Sequence, residues 1–121
     1  MKRKKLTTYD YLACKGKRQL SNLFVHSEEE AEAAEEAGID FIVAAHDLPQ
    51  FGIKTTFDEV KRIREAAPSC YMQAAKNIPA ASEYEAIKFA HEYLSFGADC
   101  VYVGNYSLEW IKAIRRENIP T

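Results

Sequence analysis

The feature that most constrains this chain is a repeat with a period near 30 residues. Ala37-Gly38-Ile39-Asp40 leads into the apolar run Phe41-Ile42-Val43-Ala44-Ala45. Ala67-Pro68-Ser69 leads into Cys70-Tyr71-Met72-Gln73-Ala74-Ala75, and Gly97-Ala98-Asp99 into Cys100-Val101-Tyr102-Val103-Gly104. Each is a helix stop followed by a short buried segment, and recurrence at this spacing marks one supersecondary unit used several times. A continuous β-branched and aromatic run without polar alternation is the pattern of a parallel strand covered on both faces.

The segments between these runs open alike, with Ser or Thr followed three residues later by Glu: Ser27/Glu30, Thr56/Glu59 and Ser82/Glu85. These are capping boxes, in which the hydroxyl accepts from an orphan first-turn amide while the Glu reaches back to the cap N–H. They predict helices over 27–37, 56–66 and 82–96. The inward stripes are Ala31, Ala33, Ala34 and Ala37; then Phe57, Val60, Ile63 and Ala67; then Ala86, Ile87, Ala90 and Leu94. Leu6 to Lys15 reads as an N-terminal helix stopped by Gly16, and Gln19 to Val25 as the first strand. Ser107 opens a helix from Leu108 to Glu117 with Leu108, Ile111 and Ile114 facing inward, and Asn118-Ile119-Pro120-Thr121 leads toward a fifth strand.

The expected fold is therefore α/β. Residues 1–18 form a basic N-terminal helix and lead-in, and residues 1–121 a single (βα)4 unit. Parallel strands at 19–25, 40–45, 70–75 and 100–104 run in the order 1-2-3-4, as in the N-terminal half of a (βα)8 TIM barrel. Leu23, Ile42, Met72 and Val101 are the expected inward-facing side chains. Four such strands leave two unpaired edges and an open concave face, which predicts a homo-oligomer, most simply a two-fold dimer, or the remainder of a barrel as partner.

Composition narrows the class. The formal net charge is −2, with 47% hydrophobic and 28% charged residues, which is ordinary for a globular domain. No apolar run approaches the roughly 20 residues that cross a bilayer, and the basic N-terminus runs into Thr7-Thr8-Tyr9-Asp10 instead of a hydrophobic signal core. A cytoplasmic protein with no membrane partner is expected. Cys14, Cys70 and Cys100 are an odd, widely spaced set, so neither a disulfide framework nor a structural zinc site is supported, and Cys70 and Cys100 read as core thiols. The basic residues Lys2 to Lys5, Lys15, Lys17 and Arg18 carry no interleaved aromatics or recognition motif. They read as a solvated terminus, with no nucleic-acid partner. Neither GxGxxG nor GxxxxGK[ST] occurs.

In a parallel barrel, chemistry sits at the C-terminal ends of the strands. The residues there are His26, His46-Asp47, Gln73 with Lys76 and Asn77 beyond it, and Asn105 with Tyr106. An adjacent imidazole and carboxylate can hold a divalent metal or act as a base toward a polarised carbonyl. The alternatives are structural: His26 as a turn residue before the Ser27 cap, Asp47 as a turn cap before Leu48-Pro49, and Lys76 and Asn77 as loop solvation.

The whole chain resembles the ketopantoate hydroxymethyltransferase (3-methyl-2-oxobutanoate hydroxymethyltransferase) family, of the phosphoenolpyruvate mutase and isocitrate lyase group of TIM barrels. The resemblance rests on Lys15-Gly16-Lys17-Arg18 before strand one and Glu36-Ala37-Gly38-Ile39-Asp40-Phe41-Ile42-Val43 into strand two. It extends to Ala66-Ala67-Pro68-Ser69-Cys70, Phe96-Gly97-Ala98-Asp99-Cys100-Val101 and Glu117-Asn118-Ile119-Pro120. It implies a magnesium-assisted carbon–carbon bond reaction on a 2-oxo acid by enolate formation and aldol-type addition to a one-carbon unit from an unidentified donor, as in pantothenate biosynthesis.

The catalytic motifs depart from the family. Its "T-A-Y-D" is here Phe24-Val25-His26-Ser27, and its "V-G-D-S" is Ala44-Ala45-His46-Asp47, so its metal-binding aspartate falls on His46, or on Asp47 with one residue inserted. Its second metal aspartate falls on Ala75, and the lysine and glutamate of "V-K-I-E-G" fall on Tyr102 and Gly104. The resemblance thus leaves His46 and Asp47 as the catalytic candidates and Asp47 as the Mg2+ ligand, while position after the strand runs marks His26, Gln73, Lys76 and Asn105 as substrate-binding. A non-catalytic relative that binds a small carboxylate, or a half-barrel inactive without its partner half, are the other readings.

Overall fold

The computed structural model describes residues 3–44, 56–74, 80–103 and 106–121. In chain order its elements are α1 (Thr8–Ala13), β1 (Asn22–Val25), α2 (Glu28–Glu36), β2 (Phe41–Ala44), α3 (Phe57–Ala66), β3 (Tyr71–Ala74), α4 (Glu83–Ser95), β4 (Cys100–Val101) and α5 (Leu108–Arg116). The four strands form one all-parallel sheet in the order β1-β2-β3-β4. Sequential order with right-handed crossovers places every connecting helix on the same face. The core follows suit: Ala31 and Ala34 of α2, Val60 and Ile63 of α3, Ala86, Ala90 and Tyr93 of α4, and Ile114 of α5 pack with Val25, Ile42, Ala44, Met72, Ala74 and Val101.

The opposite face carries a second, smaller cluster of Phe41, Val43, Tyr71 and Cys100, covered by Tyr11 of α1. Tyr11 lies 5.4 Å from the Phe41 ring and 5.3 Å from the Tyr71 ring, while Thr8 Oγ1 and the Tyr71 hydroxyl are 2.9 Å apart. This corrects the expected facing. Ile42, Met72 and Val101 point into the helical layer, and the other strand parity faces away from it. With β2 and β3 buried on both sides, hydrophobicity there does not alternate, so the pattern carries no parity signal.

The helix starts hold with one difference. Ser27, Thr56 and Ser82 each accept from the third backbone N–H of their helix. Only Thr56 forms the reciprocal box with Glu59. Glu30 and Glu85 reach one residue further back, to the N–H groups of His26 and Ala81, which satisfies the same kind of orphan donor. The expected Leu6–Lys15 helix is the shorter α1, started by a Thr7/Asp10 box. Leu108, expected to face inward, is 66% exposed, and Ala113 and Ile114 take the buried stripe of α5.

The N-terminal ends of the strands are clamped by side chains. Asp40, just before β2, accepts from the Ser21 N–H at 3.0 Å and pairs with Arg18 at 2.9 Å. Asp99, just before β4, accepts from the Met72 N–H at 2.9 Å and pairs with Arg64 at 3.1 Å and with Lys5. Arg64 also donates to the carbonyls of Ala67, Cys70 and Gly97. The basic N-terminus is thus no purely solvated arm: Arg3, Lys5 and Arg18 are engaged by Glu35, Asp99 and Asp40. Cys70 and Cys100 are buried, and burial pushes each thiol up to about 11. No helix among the described residues is long and apolar enough to cross a membrane.

Candidate functional site

Of the sequence-derived site residues, His46, Asp47, Lys76 and Asn105 lie outside the described residues, as does Ala75. His26 and Gln73 are described, and they line different clefts on opposite sides of the sheet.

His26 is the first residue past β1. Its N–H donates to the Glu30 carboxylate at 2.6 Å, and its Nδ1 stands 3.5 Å from the same oxygen. That geometry folds the imidazole back over the start of α2. There it lines a groove of about 350 Å3 with Ser27, Glu28, Glu29, Glu59, Arg62 and Ile63. Nε2 is buried without a hydrogen-bond partner among the described residues, although the side chain as a whole is 31% exposed. With a proton on Nδ1 toward Glu30, Nε2 presents a lone pair that can accept from a ligand hydroxyl or amide.

Gln73, on β3, belongs to the face turned away from the connecting helices. It lines a cleft of about 370 Å3 with Tyr11, Phe41, Tyr71, Cys100 and Arg115. Burial raises the Tyr71 phenol well above its ordinary value and the Cys100 thiol to about 11. Both are neutral at pH 7, so the described groups here supply hydrogen bonds and a guanidinium, and no activated nucleophile. Arg115 spends one bond on the Ile119 carbonyl at 3.3 Å. A cleft with a carboxamide, a phenol and a guanidinium is chemically suited to a small carboxylate.

The residues that fill this cleft with Gln73 were not singled out by sequence. Thr8 and Tyr11 arrive from the N-terminal helix and Arg115 from α5, far away in the chain. Only the Thr7-x-x-Asp10 box, which fixes where α1 begins, carried a local signal. Among the described residues no group of three His, Cys, Asp or Glu side chains is arranged to hold a metal ion. His26 and Gln73 do not by themselves fit a magnesium site, for which carboxylate oxygens are preferred. No protein-family model matches the chain, and the search of curated proteins finds no match.

Proposed function

We propose that this chain forms the first half of a (βα)8 barrel that binds a small 2-oxo acid at the C-terminal ends of its strands. We further propose that it acts on the substrate by removing a proton next to the carbonyl, with Asp47 or His46 as the base. The observation that supports this reading is the sheet itself. Its strands run in sequential order with all connecting helices on one face, so the strand C-termini share one rim. The Val101 N–H also donates to the Pro120 carbonyl at 3.0 Å, so residues 119–120 begin a fifth position beside β4. The remaining half would come from further chain or from a second subunit, meeting the outer edge of β1.

The chemistry is testable without knowing the one-carbon donor. A branched 2-oxo acid incubated with the protein in D2O should exchange its C3 proton, read by NMR, and Asp47→Asn should abolish the exchange. Binding without exchange, unaffected by Asp47→Asn, would support the second reading, a non-catalytic carboxylate binder. That reading draws on the Gln73 and Arg115 cleft, where the titrating groups are held neutral.

A further inference from the structure

Seven of the sixteen Lys and Arg residues fall within the first eighteen positions, against a single acid, Asp10. Three of them land on acids of the βα core: Arg3 on Glu35 of α2 at 3.8 Å, Lys5 on Asp99 before β4, and Arg18 on Asp40 before β2 at 2.9 Å. Between these anchors lies α1. It has six residues and buries none of them fully, and it touches the sheet mainly through the Tyr11 ring and the Thr8 hydroxyl. A helix this short has little stability of its own.

The core on the other face is made by α2 to α5 and does not involve α1. An element held by partly exposed ion pairs, by Arg3 bonds to the Ile39 carbonyl and Cys70 Sγ, by the Thr8–Tyr71 hydroxyl contact and by the Tyr11 ring on Phe41 and Tyr71, with no fully buried residue of its own helix, belongs to the low end of the local stability range. What it covers is specific: Phe41, Tyr71 and Cys100, in the same cleft as Gln73.

We propose that residues 3–18 are an ionically latched cover, which lifts from the sheet while the βα core stays folded and so gates access to the Tyr71, Gln73 and Cys100 cleft. The latch consists of the Arg3–Glu35, Lys5–Asp99 and Arg18–Asp40 pairs, and the Tyr11 ring is the lid surface. The gate does not depend on the identity of the ligand, and its test does not read catalysis.

Cys100 reports opening directly. The intact chain is treated with iodoacetamide under native conditions, and alkylation of each cysteine is followed by peptide-resolved mass spectrometry. Amide hydrogen exchange of β2 and β3 supplies the free energy of global opening, and alkylation of the urea-unfolded chain supplies the intrinsic rate of the Cys100 thiol. High and low protein concentrations separate cover by α1 from cover by association. Raising NaCl from about 0.1 M to about 1 M shortens the screening length from about 10 Å to about 3 Å.

Relative to its rate in the unfolded chain, Cys100 should be protected from alkylation by less free energy than the β2 and β3 amides are protected from exchange. High salt, Lys5→Gln and Arg18→Gln should each accelerate alkylation up to about five-fold beyond any change they cause in the exchange of those amides. Alkylation that tracks global exchange under all conditions, or that ignores both salt and the substitutions, overturns it. Because Lys5→Gln removes a charge that also serves Asp99, the salt series on the unaltered chain stands as the independent measurement.

Discussion

Asp40 and Asp99 occupy equivalent places in the repeat, one residue before a strand, and do the same work there. Each accepts from a backbone N–H at the start of the neighbouring strand and is held by an arginine. Burial pushes the Asp40 carboxyl up, but the hydrogen bonds from Arg18 and Ser21 outweigh it and leave the group below the usual carboxylate range. Glu35 is similar, with burial opposed by bonds from Ser69 and Cys70 and by the Arg3 charge. A carboxyl depressed on folding stabilises above its unfolded pKa of about 4, and that contribution disappears as pH falls through the lower folded value. Urea midpoints should therefore fall as pH drops below about 4, and Asp40→Asn should be less stable at neutral pH with a shallower acid decline. Equal pH profiles for the two proteins would contradict the clamp.

Gly97 holds φ +99°, and an added Cβ would lie 2.6 Å from Arg64 Cγ, inside the network that closes the start of β4. Gly97→Ala should cost about 1–3 kcal/mol. Gly16→Ala, at φ +73° with nothing near the added atom, should cost only about 1 kcal/mol, both read by denaturant unfolding.

The elements are largely legible in the sequence. Helix stops at Gly38 and Gly97 and hydroxyl caps at Ser27, Thr56 and Ser82 are local signals, and the helices begin where they say. Facing was not legible. Phe41 and Ile42 are equally apolar, yet they belong to opposite faces of the sheet, and only the register shows which one meets the helices. Leu108 misled for a related reason, since apolar identity at a first helical position does not fix its rotation. Met72→Ala, in the sealed layer, should therefore cost about 2–5 kcal/mol, whereas Leu108→Ala should stay within about 0.5 kcal/mol. A large loss at Leu108 would mean that this position is covered by something other than water.

At the level of the whole molecule, parallel order and one-sided helices leave a sheet that is finished on one face only. The cover provided by α1 reaches Phe41, Tyr71 and Cys100, while Phe24, on the same face of the edge strand β1, remains 53% exposed. Of the expected strand-end positions that are described, His26 stands just past β1, where the apolar run stops, whereas Gln73 lies within β3. The partners that surround Gln73 were not legible, since tertiary packing brings them from both ends of the chain. His26 shows the same limit: its position at the end of β1 was readable, but the Glu30 contacts that turn it toward the α2 and α3 groove were not.

Among the described residues no strand pairs with the outer edge of β1, and such an edge is a template for further pairing. Sedimentation velocity of the purified 121-residue chain across micromolar dilution tests this most directly. An incomplete barrel predicts an associated, concentration-dependent species, with Phe24→Asp shifting it toward smaller forms. A monomer at every concentration that unfolds cooperatively would contradict the half-barrel and the rim site built on it.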